Sequence, residues 1–303
     1  MIFVLVGPTA SGKSSLAIDY AKKHGAFVVN GDAFQCYREM NIGTAKPSLE
    51  EREEVPHYLF DIASVEKEYT IYDYQRDLRK ILEELIPLKR DILIVGGSGL
   101  YLKSALYDFE FASPRARADM TPFEAMDDES LYGYLKEIDP VSASEIHFRN
   151  RKRVLRAIQI YLESGYRKSD LIAMQEHRPL YDVEFIGIEI ENREELYRRI
   201  DDRVEKMMEK GLLREVTELY EKYGADLRAF QAIGYKELME GFQKDLPLEE
   251  SVNLIKKRTR NYAKRQYTYF KNQLPVRWFH SREEAIGYME GCKGGKHEFE
   301  EHL

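Results

Sequence analysis

Cysteine is nearly missing from this chain. Its two residues, Cys36 and Cys292, lie far apart in a sequence of 303 and follow no ligand spacing. They exclude a disulfide framework and a zinc site, and they lead us to expect a reducing cytoplasm. No apolar run is long enough to cross a membrane. The apolar run at the start is too short for a signal peptide and leads directly into a glycine loop. Acid is absent from one long stretch: no Asp or Glu lies between Glu250 and Glu283, although the net charge is −7. That total argues against a nucleic-acid partner, but the uneven distribution of charge weighs more. With 33% charged and 43% hydrophobic residues, the composition is that of an ordinary globular protein. The length exceeds one average domain and predicts a large domain with an insertion or second lobe.

The most informative stretch is the first. MIFVLV reads as a buried strand, GPTASGKS as a glycine loop, and SSLAIDYAKKHG as a helix that Gly25 can end. G-x-x-x-x-G-K-[ST] in a strand–loop–helix setting is a phosphate cradle, because loop N–H groups and the helix N-terminus both favour an anion. The candidate phosphate ligands are Gly7, Thr9, Ala10, Ser11, Gly12, Lys13 and Ser14. Lys13 supplies a point charge, and the Ser14 hydroxyl is placed to ligate Mg²⁺. The loop does not say which phosphates it holds.

AFVVN reads as a second buried strand, running into Gly31, Asp32, Ala33, Phe34 and Gln35. A carboxylate just past a strand of an open α/β sheet lies where such folds bind ligands. Asp32 is therefore an acid/base or metal-linked candidate, or else the N-cap of a short helix. His57 reads as structural. A helix is expected over 72–88 from the three- and four-residue spacing of Tyr74, Leu78, Ile81, Leu82 and Leu85. ILIV, residues 92–95, is a third strand entering Gly96-Gly97-Ser98-Gly99. No acid ends it, so the second metal-anchoring carboxylate of nucleotide-hydrolysing phosphate-loop proteins is not evident.

The pattern predicts a P-loop NTPase-like α/β core, with a mostly parallel sheet flanked by helices, interrupted by an all-helical insertion. We place the core at 1–112 and 184–303 and the insertion at 113–183. Arg115 and Arg117 open the insertion, and RNRKRVLR at 149–156 is rich in base. Arg153 and Arg156 share a helical face, as expected of a lid over a phosphate site. A strand is expected at 185–190, and a helix or helix pair at 194–223 that breaks at Gly211. Residues 251–272 form one helix of roughly 30 Å. Lys256, Arg260 and Lys264 lie on one face, while Ile255, Tyr262 and Tyr269 recur on another. We read it as a polyanion surface rather than a solvated basic helix. A last strand at 276–279 precedes a tail expected to fray after Gly291.

GPTASGKS, GDAFQCYREMNIGTAKP, GGSGLY, SPRAR, RKRVLRA, QAIGYKE and RNYAKRQYTYF occur in order across nearly the whole chain. Together they resemble the bacterial members of the tRNA dimethylallyltransferase (tRNA isopentenyltransferase) family. The resemblance implies transfer of a dimethylallyl group from dimethylallyl diphosphate to N6 of the adenosine 3′ of the anticodon in tRNA. It implies that residues 9–14 bind the donor diphosphate, with Ser14 also serving Mg²⁺. Asp32 would be the general base. Asp32, Ala33, Phe34 and Gln35 would contact tRNA, as would Lys152, Arg153, Val154, Leu155 and Arg156. Arg153 would clamp the diphosphate instead or as well, and with Lys13 would meet its growing charge. Ser98 and Arg115 match positions that touch the flipped nucleotide. Ala33 stands where the family has serine, and Lys152 where glutamine is common. The eukaryotic zinc finger is absent. We expect a cytoplasmic monomer. A small-molecule or nucleoside kinase using ATP, and a non-catalytic RNA-binding phosphate-loop protein, are the alternatives.

Overall fold

The computed structural model describes residues 1–111 and 117–294. They divide into two compact units, Met1–Ala105 with the chain from Tyr181 onward, and Leu106–Leu180.

In the first unit the chain lays down β1 (Ile2–Val6), α1 (Lys13–His24), β2 (Phe27–Asn30), α2 (Leu49–Glu54), β3 (His57–Tyr58), α3 (Ile71–Leu85), β4 (Ile92–Val95) and α4 (Gly99–Leu106). All of β1, β2 and β4 is buried, as unbroken apolar runs covered on both faces require. Capping boxes start α2 at Ser48 and Glu51, and α3 at Thr70 and Asp73; each is worth about 1 kcal/mol. The helix expected over 72–88 stops at Leu85, and Pro87 sits in a 3-10 turn (Ile86–Leu88) rather than in the helix.

The second unit is helical: α5 (Thr121–Glu124), α6 (Asp128–Ile138), α7 (Pro140–Glu145), α8 (Arg151–Ser164) and α9 (Lys168–Ala173). Leu131, Leu135, Ile146, Val154 and Ile158 form its own core. It runs over 106–180 rather than the expected 113–183. The reason is local: Tyr107 bridges Pro179, and Leu180 N–H donates to Leu106 C=O, so the two ends are already paired inside it.

The chain then completes the first unit with β5 (Val183–Ile188), α10 (Arg193–Glu209), α11 (Leu212–Tyr223), α12 (Tyr235–Lys244), α13 (Leu248–Gln273), β6 (Arg277–Phe279) and α14 (Arg282–Gly294). Gly211 separates α10 from α11, as expected. α14 continues past Gly291 to Gly294, and the rest of the tail expected to fray lies outside the described residues. Ala285 and Met289, one turn apart, anchor α14 in the core, where it packs on α1, β5 and β6.

The six strands are all parallel, in the order β3-β2-β4-β1-β5-β6. The loops after β1, β2 and β4 therefore leave the same edge of the sheet at neighbouring positions, the place where open α/β sheets bind ligands. The loops after β2 and β4 touch. Gly31 N–H donates to Val95 C=O at 2.8 Å, and Ser98 N–H to Gly31 C=O at 3.3 Å. A Cβ on Gly96 would lie 1.9 Å from the Gly31 oxygen. Gly96→Ala is expected to push these two loops apart at a cost of about 2 kcal/mol or more. Thermal unfolding measures it, and an unchanged midpoint would contradict the close approach.

Candidate active site

The phosphate loop is held ready rather than slack. Ala10 adopts a left-handed backbone (φ 65°) that only glycine takes freely. Ser11 is buried, and its hydroxyl has no hydrogen-bond partner. That hydroxyl is a donor free to meet an anion in the glycine loop. Lys13 Nζ donates to Pro8 C=O at 3.1 Å. The first N–H groups of α1, from Lys13 on, have no acceptor within the helix. One donor of the expected cradle is already used. The Thr9 N–H is not open to an anion, because it donates to the Gln266 side chain at 2.9 Å.

Asp32 follows the wholly buried Asn30, which orients it. Asn30 Oδ1 accepts the Asp32 N–H at 2.8 Å, and its Nδ2 donates to the carbonyls of Asp32 and Leu59. Asp32 Oδ1 accepts the Phe34 N–H at 3.0 Å. This is a turn, not a helix cap, since no helix follows before α2. Burial pushes the Asp32 carboxyl above the usual carboxylate range. The N–H groups of Phe34 and Gln35, and the charges of Lys13 and Arg203, pull against that shift. Tyr74, Tyr101 and Tyr262 stand close enough to feel its charge. Burial in turn pushes Lys13 down to about 8; Arg203 adds to the fall and Asp32 opposes it.

Arg203 is the residue that the sequence reading missed. It lies half-buried on α10, and its charge reaches both Lys13 and Asp32. A signal was present: Arg203 falls in line with Leu196, Ile200 and Met207 at helical spacing, on the edge of the apolar stripe. With Lys13, Ser14, Arg38, Lys46 and Lys206 it lines a cavity of about 890 Å³. Asp61 neutralises part of that wall, bonding Lys46 and Arg52 at 2.5 Å each.

The structure brings other expected residues together. Ala33 N–H donates to Ser98 Oγ at 3.0 Å, joining the second and third loops. The Gln35 amide is turned inward onto the carbonyls of Thr44 and Ala45. In the second unit, Lys152, Arg153 and Arg156 are exposed on α8. Val154 is fully buried in that unit's core and Leu155 packs partly against it, so neither offers an exposed side chain to RNA. Arg115 lies outside the described residues. On the basic face of α13 two of the three expected cations are paired. Arg260 bonds both oxygens of Asp201, and Lys256 pairs with Glu205. The local sequence is free of acid, but α10 supplies the counterions. Lys264 remains exposed.

Residues 35–273 match the IPP transferase family. The chain belongs to that family. It is 40% identical to a tRNA dimethylallyltransferase of Anoxybacillus flavithermus, over 94% of this chain and 92% of the relative. A tRNA isopentenylpyrophosphate transferase from Staphylococcus epidermidis superposes with a TM-score of 0.72 at 36% identity, over 97% of this chain and 99% of the other. A eukaryotic dimethylallyltransferase acting on tRNA gives a TM-score of 0.82 at 27% identity, over 97% of this chain and 79% of that one. The shared fold is the P-loop-like α/β sheet described above.

In this family member the cations beside the loop should govern anion affinity. Arg203→Ala is expected to weaken inorganic pyrophosphate binding by about tenfold or more. Lys13 is cationic below about 8 and neutral above it. Affinity in the wild type should therefore fall as pH rises through that value, relative to a Lys13→Met variant. Calorimetric titration across pH checks both.

Proposed function

We propose that this chain transfers the dimethylallyl group of dimethylallyl diphosphate to N6 of the adenosine 3′ of the anticodon in tRNA. It is a prenyl transferase acting on tRNA. The observation that carries the reading at the site is the half-buried cluster of Lys13, Arg203 and Asp32, close enough to feel one another's charge, which sets a base against a diphosphate cradle. An ATP kinase would need a carboxylate at the end of β4 to anchor its metal, and Gly96-Gly97 stands there. A purely RNA-binding protein would have no use for a desolvated lysine and carboxylate side by side.

The adenine must leave the anticodon-loop stack, at a cost of roughly a few kcal/mol. Its N6 amine is a weak nucleophile because the lone pair is delocalised into the ring. The N6–C1 bond forms as the C1–O bond to diphosphate breaks. Asp32 takes the proton from N6, and its raised pKa makes it a stronger base than an ordinary carboxylate. The Phe34 N–H holds that carboxylate in place, and the Asn30 amide fixes the Asp32 backbone behind it. Lys13, Arg203 and the N–H groups at the start of α1 meet the charge that grows on the leaving diphosphate. Exposed Lys152, Arg153 and Arg156 suit the phosphates of the RNA.

Mg²⁺ fits the residues present. Among the described residues no three His, Cys, Asp or Glu side chains gather to hold a metal, but Mg²⁺ on a diphosphate needs only one or two protein ligands. The Ser14 hydroxyl, which lines the cavity, would be one. When bound, the ion would add charge neutralisation on the diphosphate. Cytoplasmic location belongs to the same proposal: both cysteines are free, and no helix among the described residues is long and apolar enough to cross a membrane.

Asp32→Asn keeps the Oδ1 acceptor of the turn and removes the base. Transfer of labelled prenyl to tRNA is expected to fall about 10²- to 10⁴-fold, with tRNA affinity unchanged. Near-normal turnover would show that Asp32 is not the base.

A further inference from the structure

Gln266 lies on α13, outside the anion cradle, yet it is 5% exposed and both ends of its amide are used. Oε1 accepts the Thr9 N–H at 2.9 Å, and Nε2 donates to Gly97 C=O at 3.0 Å. Tyr262, one turn earlier, also donates to that carbonyl, at 3.4 Å. Gly97 leads into Ser98, whose hydroxyl accepts the Ala33 N–H next to Asp32. A short covalent and hydrogen-bonded path therefore joins the phosphate loop, through one amide, to the loop that carries the base.

We propose that Gln266 is a positioning residue that sets the spacing between the diphosphate cradle and the Asp32 loop. The inference rests on the reading of the phosphate loop as the donor site. Three observations support it. First, the partners fix the chemistry: one must be met by an acceptor and the other by a donor, and among side chains of this length only a glutamine offers both at neutral pH. Second, Gly97 is shaped around it, since a Cβ there would stand 2.0 Å from Nε2 and the three nearest atoms all belong to Gln266. Third, the contact withdraws the Thr9 N–H from the anion nest. That N–H anchors the loop instead of binding ligand. A residue that only filled space would not need its two polar ends opposed to a donor and an acceptor on different loops.

Gln266→Glu separates positioning from packing. The side chains are nearly isosteric, so the packing volume is kept while the donor to Gly97 is lost. An ionised carboxylate would face the Gly97 oxygen and put negative charge beside the phosphate loop. We expect about a tenfold or greater loss of affinity for inorganic pyrophosphate in Gln266→Glu, and about tenfold in Gln266→Ala. The KM for dimethylallyl diphosphate should rise in parallel, with tRNA affinity unchanged. Gly97→Ala should reproduce the defect by displacing the amide. The Gln266→Ala/Gly97→Ala double variant should be no worse than Gln266→Ala, because the clash is gone. Wild-type pyrophosphate affinity in Gln266→Glu would overturn the inference, as would defects that multiply in the double variant. So would equal losses of donor and tRNA affinity accompanied by a lower melting temperature. Prenyl transfer by the wild type is scored separately. Its absence would count against the proposed function, whereas pyrophosphate affinity in the variants reads the positioning role directly.

Discussion

Three charges share one half-buried corner, and the rest of the first unit is arranged around them. Lys13 and Arg203 repel each other, burial penalises both, and Asp32 compensates only in part. Such a corner is costly without an anion and favourable with one. The cost is carried by the parallel sheet, whose edge brings the loops after β1, β2 and β4 within hydrogen-bonding reach of one another. The buried apolar strands beneath make that edge rigid.

The same constraint accounts for the division of labour. The loop after β1 supplies N–H groups and Lys13, and the loop after β2 supplies the carboxylate. The loop after β4 supplies no charge; its glycines let the other two approach, and Ser98 ties it to Ala33. A carboxylate at the end of β4 would turn such a site towards nucleotide hydrolysis. With glycines there instead, Asp32 on the neighbouring loop is the carboxylate whose charge reaches Lys13.

The strands and the phosphate loop were legible in the sequence because their signals are local. Apolar runs, glycines at fixed offsets and the Lys13-Ser14 pair all fall within a few residues of one another. Gly211 as a break and α13 as a single helix were legible for the same reason. What was not legible depended on partners distant in sequence. Arg203 looked like one more charge on a charged helix until the fold turned it towards Lys13. Arg260 and Lys256 looked free because their counterions, Asp201 and Glu205, are some fifty residues or more away. The Thr9 N–H looked available because Gln266 lies 257 residues further on. Val154 sat inside a basic motif, and burial overrode the motif.

Mass spectrometry of anticodon-loop nucleosides tests the central claim most directly. The protein is incubated with unmodified tRNA, dimethylallyl diphosphate and Mg²⁺, with ATP in a parallel reaction. The account predicts one prenylated adenosine, at the position 3′ of the anticodon, with one diphosphate released per prenyl group transferred and no phosphorylated product from ATP. Unmodified adenosine at that position, or phosphoryl transfer from ATP, would contradict it.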